Sequence, residues 1–116
     1  MIGDCHAAMG DGEATASAVE CAFDATFRVT IEEKFSLSRP VVTNESGVMT
    51  TGEGGTMETA TKMAVDAMAD LIVDRLGVDY TSTAVLIASA ADVRTVLAVN
   101  PPYTVRVAIP TSVLTL

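Results

Sequence analysis

The sequence predicts an α+β domain: a mainly antiparallel β-sheet covered by one long and one shorter helix. Three observations predict it. Apolar and polar residues alternate with a period of two from Val19 to Ile31, and apolar residues recur at three- and four-residue steps between Met57 and Leu76. Two short apolar runs, Thr95–Val99 and Thr104–Ile109, flank a connector rich in turn residues. At 116 residues the chain fits a single domain with a modest core. It divides into an opening loop over 1–17, a β region over 18–55, and a helix–helix–β-hairpin region over 56–116.

The first strand expected is Val19–Ile31. Val19, Cys21, Phe23, Ala25, Phe27, Val29 and Ile31 share one face, and Glu20, Asp24 and Arg28 lie on the other. Thirteen extended residues run roughly 43 Å at about 3.3 Å each, so the strand needs a bulge to stay within a small domain. Glu32–Lys34 reads as a charged turn or strand end, and Phe35–Val42 as a short strand pairing back, with Pro40 confining it to an edge. Val48–Thr51 is a brief extended piece leading into Gly52-Glu53-Gly54-Gly55, a flexible connector.

Thr56 is positioned to cap a helix over Met57–Leu76, and Gly77 to end it. Ala60, Met63, Ala64, Ala67, Met68, Leu71 and Ile72 form its apolar stripe; Asp66, Asp70 and Asp74 line a solvated face. Asp79 or Thr81 starts a second helix, about Ser82–Ala91, whose apolar character nearly all round predicts burial. Asp92 and Arg94 are spaced to bridge at the exit into the hairpin strands, which Asn100-Pro101-Pro102-Tyr103 joins by a tight turn.

Composition narrows the function. Fifteen acidic residues against seven Lys and Arg leave a net charge of −8, which disfavours nucleic acid and anionic membranes as partners. Apolar residues make up 49% of the chain but aromatics only 4%, more apolar surface than a small monomer easily covers, so self-association is expected. Cys5 and Cys21 read as free thiols, no secretory leader follows Met1, and Tyr80–Ala91 is too short to cross a bilayer. A cytoplasmic location is the expectation.

The chemistry concentrates in Gly3-Asp4-Cys5-His6-Ala7-Ala8-Met9-Gly10-Asp11-Gly12-Glu13. It holds the one histidine and three carboxylates, and no Lys or Arg precedes Arg28. Crowded acids repel unless solvated, protonated or bound to a cation. An imidazole with two carboxylates suits Zn²⁺, whereas carboxylates alone suit Ca²⁺ or Mg²⁺. Gly-Asp-Gly is equally ordinary turn chemistry, with glycine supplying positive φ. Elsewhere, Thr50 and Thr51 offer hydroxyls, and Asn100 a donor and an acceptor, that suit an amide substrate or, just as well, strand and turn structure.

These residues resemble the Gly-Asp-x-His-Ala-x-x-Gly-Asp-Gly-Glu signature of the acetamidase/formamidase family. The resemblance continues through Val19-Glu20, Met49-Thr50-Thr51-Gly52, Ala90-Ala91-Asp92-Val93-Arg94, Val99-Asn100 and Ala108-Ile109-Pro110, in the family's order. It implies metal-dependent hydrolysis of small amides such as formamide and acetamide to a carboxylate and ammonia. It carries His6, Asp11 and Glu13 over to the metal or catalytic centre, with Asp4 in second rank and a divalent ion, zinc before calcium, as cofactor. His6 and Asp11 are then ligands, and Glu13 shuttles a proton from water to the leaving amine. Family members are longer, and the resemblance is to their C-terminal half; Thr95-Val96-Leu97-Ala98 also departs from a polar glutamine usual there. Three forms follow as expectations: a truncated amidase, an inactive self-assembling homo-oligomer, or one subunit of a split enzyme whose partner chain supplies the N-terminal half.

Overall fold

A computed structural model describes residues 6–31, 33 and 37–116. Its elements, in order, are β1 (His6–Ala8), β2 (Val19–Glu20), β3 (Val41–Asn44), β4 (Gly47–Gly54), α1 (Met57–Leu76), α2 (Tyr80–Ala90), β5 (Asp92–Leu97) and β6 (Tyr103–Pro110). The four later strands make one antiparallel sheet in the order β3-β4-β6-β5, and β1 and β2 form a separate small ladder. The α+β architecture is therefore the observed one, with the long helix laid on one face of the main sheet.

Local chemistry sets the turns. Asn44 Oδ1 accepts from the backbone N–H groups of Ser46 (2.9 Å) and Gly47 (3.2 Å), closing the β3–β4 hairpin. Thr56 caps α1 by accepting from the Thr59 N–H at 3.2 Å, while Thr59 Oγ1 accepts in return from the Thr56 N–H. This is a reciprocal capping box with threonine in the place usually held by Glu or Gln. Gly77 ends the helix at φ 65°, its N–H donating to the Val73 carbonyl. Both helix ends thus lie where the sequence predicts them.

Strand alternation sorts the sheet into two faces. Val48, Thr50 and Gly52 of β4 stand opposite Ile109, Val107 and Val105 of β6, and these residues face α1. Met68 and Ile72 are fully buried against them, with Leu114 of the tail completing the core. Ala60 and Ala64 are also fully buried, and the Thr50 hydroxyl donates to the Ala64 carbonyl at 2.8 Å. Small side chains on α1 and a glycine on β4 let the two backbones approach closely.

Four expectations are corrected. Within Val19–Ile31 only Val19–Glu20 is strand; residues 21–31 have no regular structure, and Phe23, Phe27, Val29 and Ile31 are exposed. A strand needs a ladder for its N–H and C=O groups, and no described strand lies alongside. The strand expected over Phe35–Val42 instead begins at Val41, after Pro40; residues 34–36 and 32 lie outside the described residues. The supposed Gly-rich connector is the end of the eight-residue central strand β4, because Gly52 and Gly54 are where α1 packs closest. Helix α2 starts at Tyr80 and is not buried all round: Thr83 is its buried residue, while Val85 is 65% exposed.

Asp79 holds the start of α2, its Oδ1 accepting from the Ser82 N–H at 2.8 Å. That backbone hydrogen bond keeps the Asp79 carboxyl below its ordinary range. A depressed folded-state pKa adds stability above the unfolded value that is lost as pH falls through the folded one. Melting temperature should therefore drop as pH falls below about 4, the ordinary aspartate range, and Asp79→Ala should flatten that limb while lowering the neutral-pH melting temperature. An unchanged acid limb in the variant refutes the assignment.

No helix among the described residues is long and apolar enough to cross a membrane.

Candidate functional site

The opening loop lies over the sheet face opposite α1. Its path is set by two turns, Glu13 N–H to the Gly10 carbonyl (3.2 Å) and Ala16 N–H to the Glu13 carbonyl (2.9 Å). Gly12 takes φ 88° and is buried, and its carbonyl accepts from the Ala98 N–H at 3.0 Å. That bond ties the loop to the end of β5. Glu13 itself sits at φ 46°, a left-handed conformation uncommon for a residue with a Cβ.

Asp11 is held from the sheet. Its two carboxylate oxygens accept from Arg106 Nη2 at 3.3 Å, and Oδ2 also accepts from Arg94 Nη1 at 3.4 Å. Arg94 and Arg106 are direct cross-strand partners on β5 and β6. Like charges so placed repel, and a carboxylate between them removes the cost. Arg94 Nε also donates to Asp92 Oδ2 at 2.6 Å, the bridge expected from the sequence. Asp92 first and Asp11 second raise the Arg94 pKa above its ordinary value. The acids of the opening loop are thus partly neutralised by guanidinium groups that lie far away in sequence.

His6 and Glu20 are paired in the register of the β1–β2 ladder, with His6 Nε2 3.2 Å from Glu20 Oε1. Asp11 and Glu13 line an open groove of about 530 Å³ with Met9, Thr15 and Ser17. Among the described residues no three His, Cys, Asp or Glu side chains converge on one point. Among the described residues His6 meets Glu20 and the oxygens of Asp11 face arginines, so these donors do not converge on one ion position. Asp4 and Cys5 lie outside the described residues; Cys21 is a free, exposed thiol.

The remaining candidates separate by strand parity. Thr50 points to the core and is fully buried, its hydroxyl engaged with α1. Thr51 stands opposite Arg106, on the face the loop covers. Asn100 is exposed in the bend between β5 and β6, next to the cis peptide bond Pro101–Pro102. Arg106 is the site residue that sequence reasoning misses. A signal existed: Arg94 and Arg106 are equidistant from Asn100, as residues paired across a hairpin must be.

The Ala98 amide reports on this docking. Asp11→Asn should loosen the loop, so Ala98 should exchange its amide proton several-fold faster, while Val107 in the core keeps its protection. Equal exchange in variant and wild type would show that Asp11 does not hold the loop.

Three solved structures share this architecture. An acetamidase from Yersinia enterocolitica matches at 27% identity and TM-score 0.81, over 96% of this chain and 34% of its own. An acetamidase from Bacillus halodurans matches at 28% and TM-score 0.86, over 92% and 36%. A predicted acetamidase/formamidase from the thermophile Thermoanaerobacter tengcongensis matches at 26% and TM-score 0.82, over 94% and 36%. No protein-family model and no curated protein matches the sequence. The chain spans about a third of the length of the structures it resembles. Over that third, in fold as in its sequence motifs, the chain is similar to part of the acetamidase/formamidase family.

Proposed function

We propose that this chain contributes part of the active site of a hydrolase that cleaves small linear amides, of the formamide and acetamide type, to a carboxylate and ammonia. The observation that carries the reading is its similarity to three acetamidase structures at 26–28% identity over more than nine-tenths of its length. The remaining two-thirds of those relatives have no counterpart in these 116 residues, and residues corresponding to them, or a further copy of this chain, would complete such a site.

In this reading Glu13, at the groove, takes a proton from the attacking water and returns it to the amide nitrogen as the C–N bond breaks. Arg94 and Arg106 fix Asp11 and with it the loop, and Thr51 on the same face offers a hydroxyl to the substrate amide; Asn100, at the exposed bend, is a second contact for a bound amide. His6, oriented by Glu20, is the second proton carrier. A divalent ion, zinc before calcium, remains a proposal for the assembled site. Its ligands would be His6, Asp11, Glu13 and Asp4, and Asp11 would have to exchange its arginine partners for the ion. A cytoplasmic location belongs to the same proposal.

An ammonia-release assay with formamide and acetamide, run with metal analysis and light scattering, tests this reading. Turnover by the chain, alone or with a second polypeptide, supports the hydrolase, and dependence on that polypeptide identifies a split enzyme. A metal-free assembly of the chain that releases no ammonia under either condition overturns it. That result would favour the inactive homo-oligomer, which the exposed Phe23, Phe27, Val29 and Ile31 already recommend.

A further inference from the structure

Residues 21–31 are the feature that neither the core nor the site uses. Their sequence alternates as a strand does, yet they have no ladder partner among the described residues. Phe23 and Phe27 are more than half exposed, and Val29 and Ile31 are 86% and 90% exposed. Asp24 and Arg28 have no ion-pair partner among the described residues and lie on the polar face of the same alternation. An exposed segment with strand-like alternation and no ladder partner is a template for another strand.

We propose that this segment pairs with its own copy, as an antiparallel two-stranded ladder with Thr26 on the two-fold axis. The argument is charge complementarity. In that register Asp24 of each chain stands opposite Arg28 of the other, giving two symmetry-related ion pairs. On the other face Phe23 meets Val29, Ala25 meets Phe27, and Cys21 meets Ile31, so every residue of that face meets an apolar one. The adjacent registers, centred on Ala25 or Phe27, also keep apolar residues together but set Asp24 opposite a threonine and leave Arg28 opposite Ala22 or Thr26, without an ion pair; centring on Asp24 or Arg28 places like charges in contact. The inference deepens the homo-oligomer reading and stands whether or not the chain hydrolyses amides, because its readout is mass and not turnover.

Charge exchange tests it. The wild-type chain should run in light scattering at twice its own mass or a multiple of that. Asp24→Arg alone and Arg28→Asp alone should each dissociate at least tenfold more readily, because each sets like charges face to face. The double variant Asp24→Arg/Arg28→Asp should regain wild-type assembly, and an equimolar mixture of the two single variants should form a heterodimer. Unchanged circular dichroism in the single variants excludes misfolding as the cause. A monomeric wild type, or an assembly indifferent to both single exchanges, overturns the proposal; the second result would place the contact on another surface or another partner.

Discussion

Gly52→Ala should destabilise the domain by roughly 3 kcal/mol, at the top of the range for overpacking a tight interior. A Cβ built at Gly52 lies 2.2 Å from the Ala60 carbonyl oxygen, 2.4 Å from the Ala64 nitrogen and 3.0 Å from the Met63 carbonyl carbon. All three are helix backbone atoms, so no side-chain rotation relieves the clash, and α1 must lift off the sheet. Lifting it parts Met68 and Ile72 from Val105, Val107 and Ile109, and breaks the hydrogen bond from Thr50 to Ala64. For a domain of this size such a loss lowers the melting temperature by more than about 10 °C. Gly55→Ala is the matched control. Nothing lies within 4 Å of its Cβ position and its φ is not positive, so the change should be neutral or slightly stabilising. Calorimetry on the pair decides the matter: a Gly52→Ala protein that melts with the wild type would show that helix and strand are not in backbone contact.

Glu13→Gln should reduce kcat for amide hydrolysis by about 10²–10⁴-fold in whichever assembly proves active, the usual contribution of a positioned general acid–base. The amide is nearly isosteric with the carboxylate but cannot accept the proton from water. KM should change little, because the lost interaction belongs to the transition state. Glu13→Gly separates chemistry from folding. Glycine adopts the φ of 46° observed here without steric cost, so this variant should be as stable as the wild type or more so, yet equally inactive. Substantial turnover in either variant would remove Glu13 from the mechanism and leave the groove without its proton carrier.

Legibility in the sequence followed the range of the interaction. Thr56, Thr59 and Gly77 declare both ends of α1 because a helix is capped by groups three or four residues away. The β5–β6 hairpin was legible for a similar reason, since its strands flank their own turn. Gly52 and Gly54 misled because glycine marks a loop in sequence, and only the packed helix reveals that it was needed inside a strand. The run from Val19 to Ile31 misled in the opposite sense. Alternation is necessary for a half-buried strand, but the ladder comes from a partner that local sequence does not specify.

The site divides along the same line. The opening motif names its acids and its imidazole, and the His6–Glu20 pairing follows from two short strands. What neutralises Asp11 is decided by β5 and β6, which return Arg94 and Arg106 to the loop from the other end of the chain. The sequence by itself therefore determined the helices, the hairpin and the inventory of reactive groups, because those depend on neighbours along the chain. Tertiary structure alone decided which charges meet, how closely α1 lies on the sheet, and that residues 21–31 lack a partner among the described residues, because each of these is a relation between surfaces that the chain brings together only on folding.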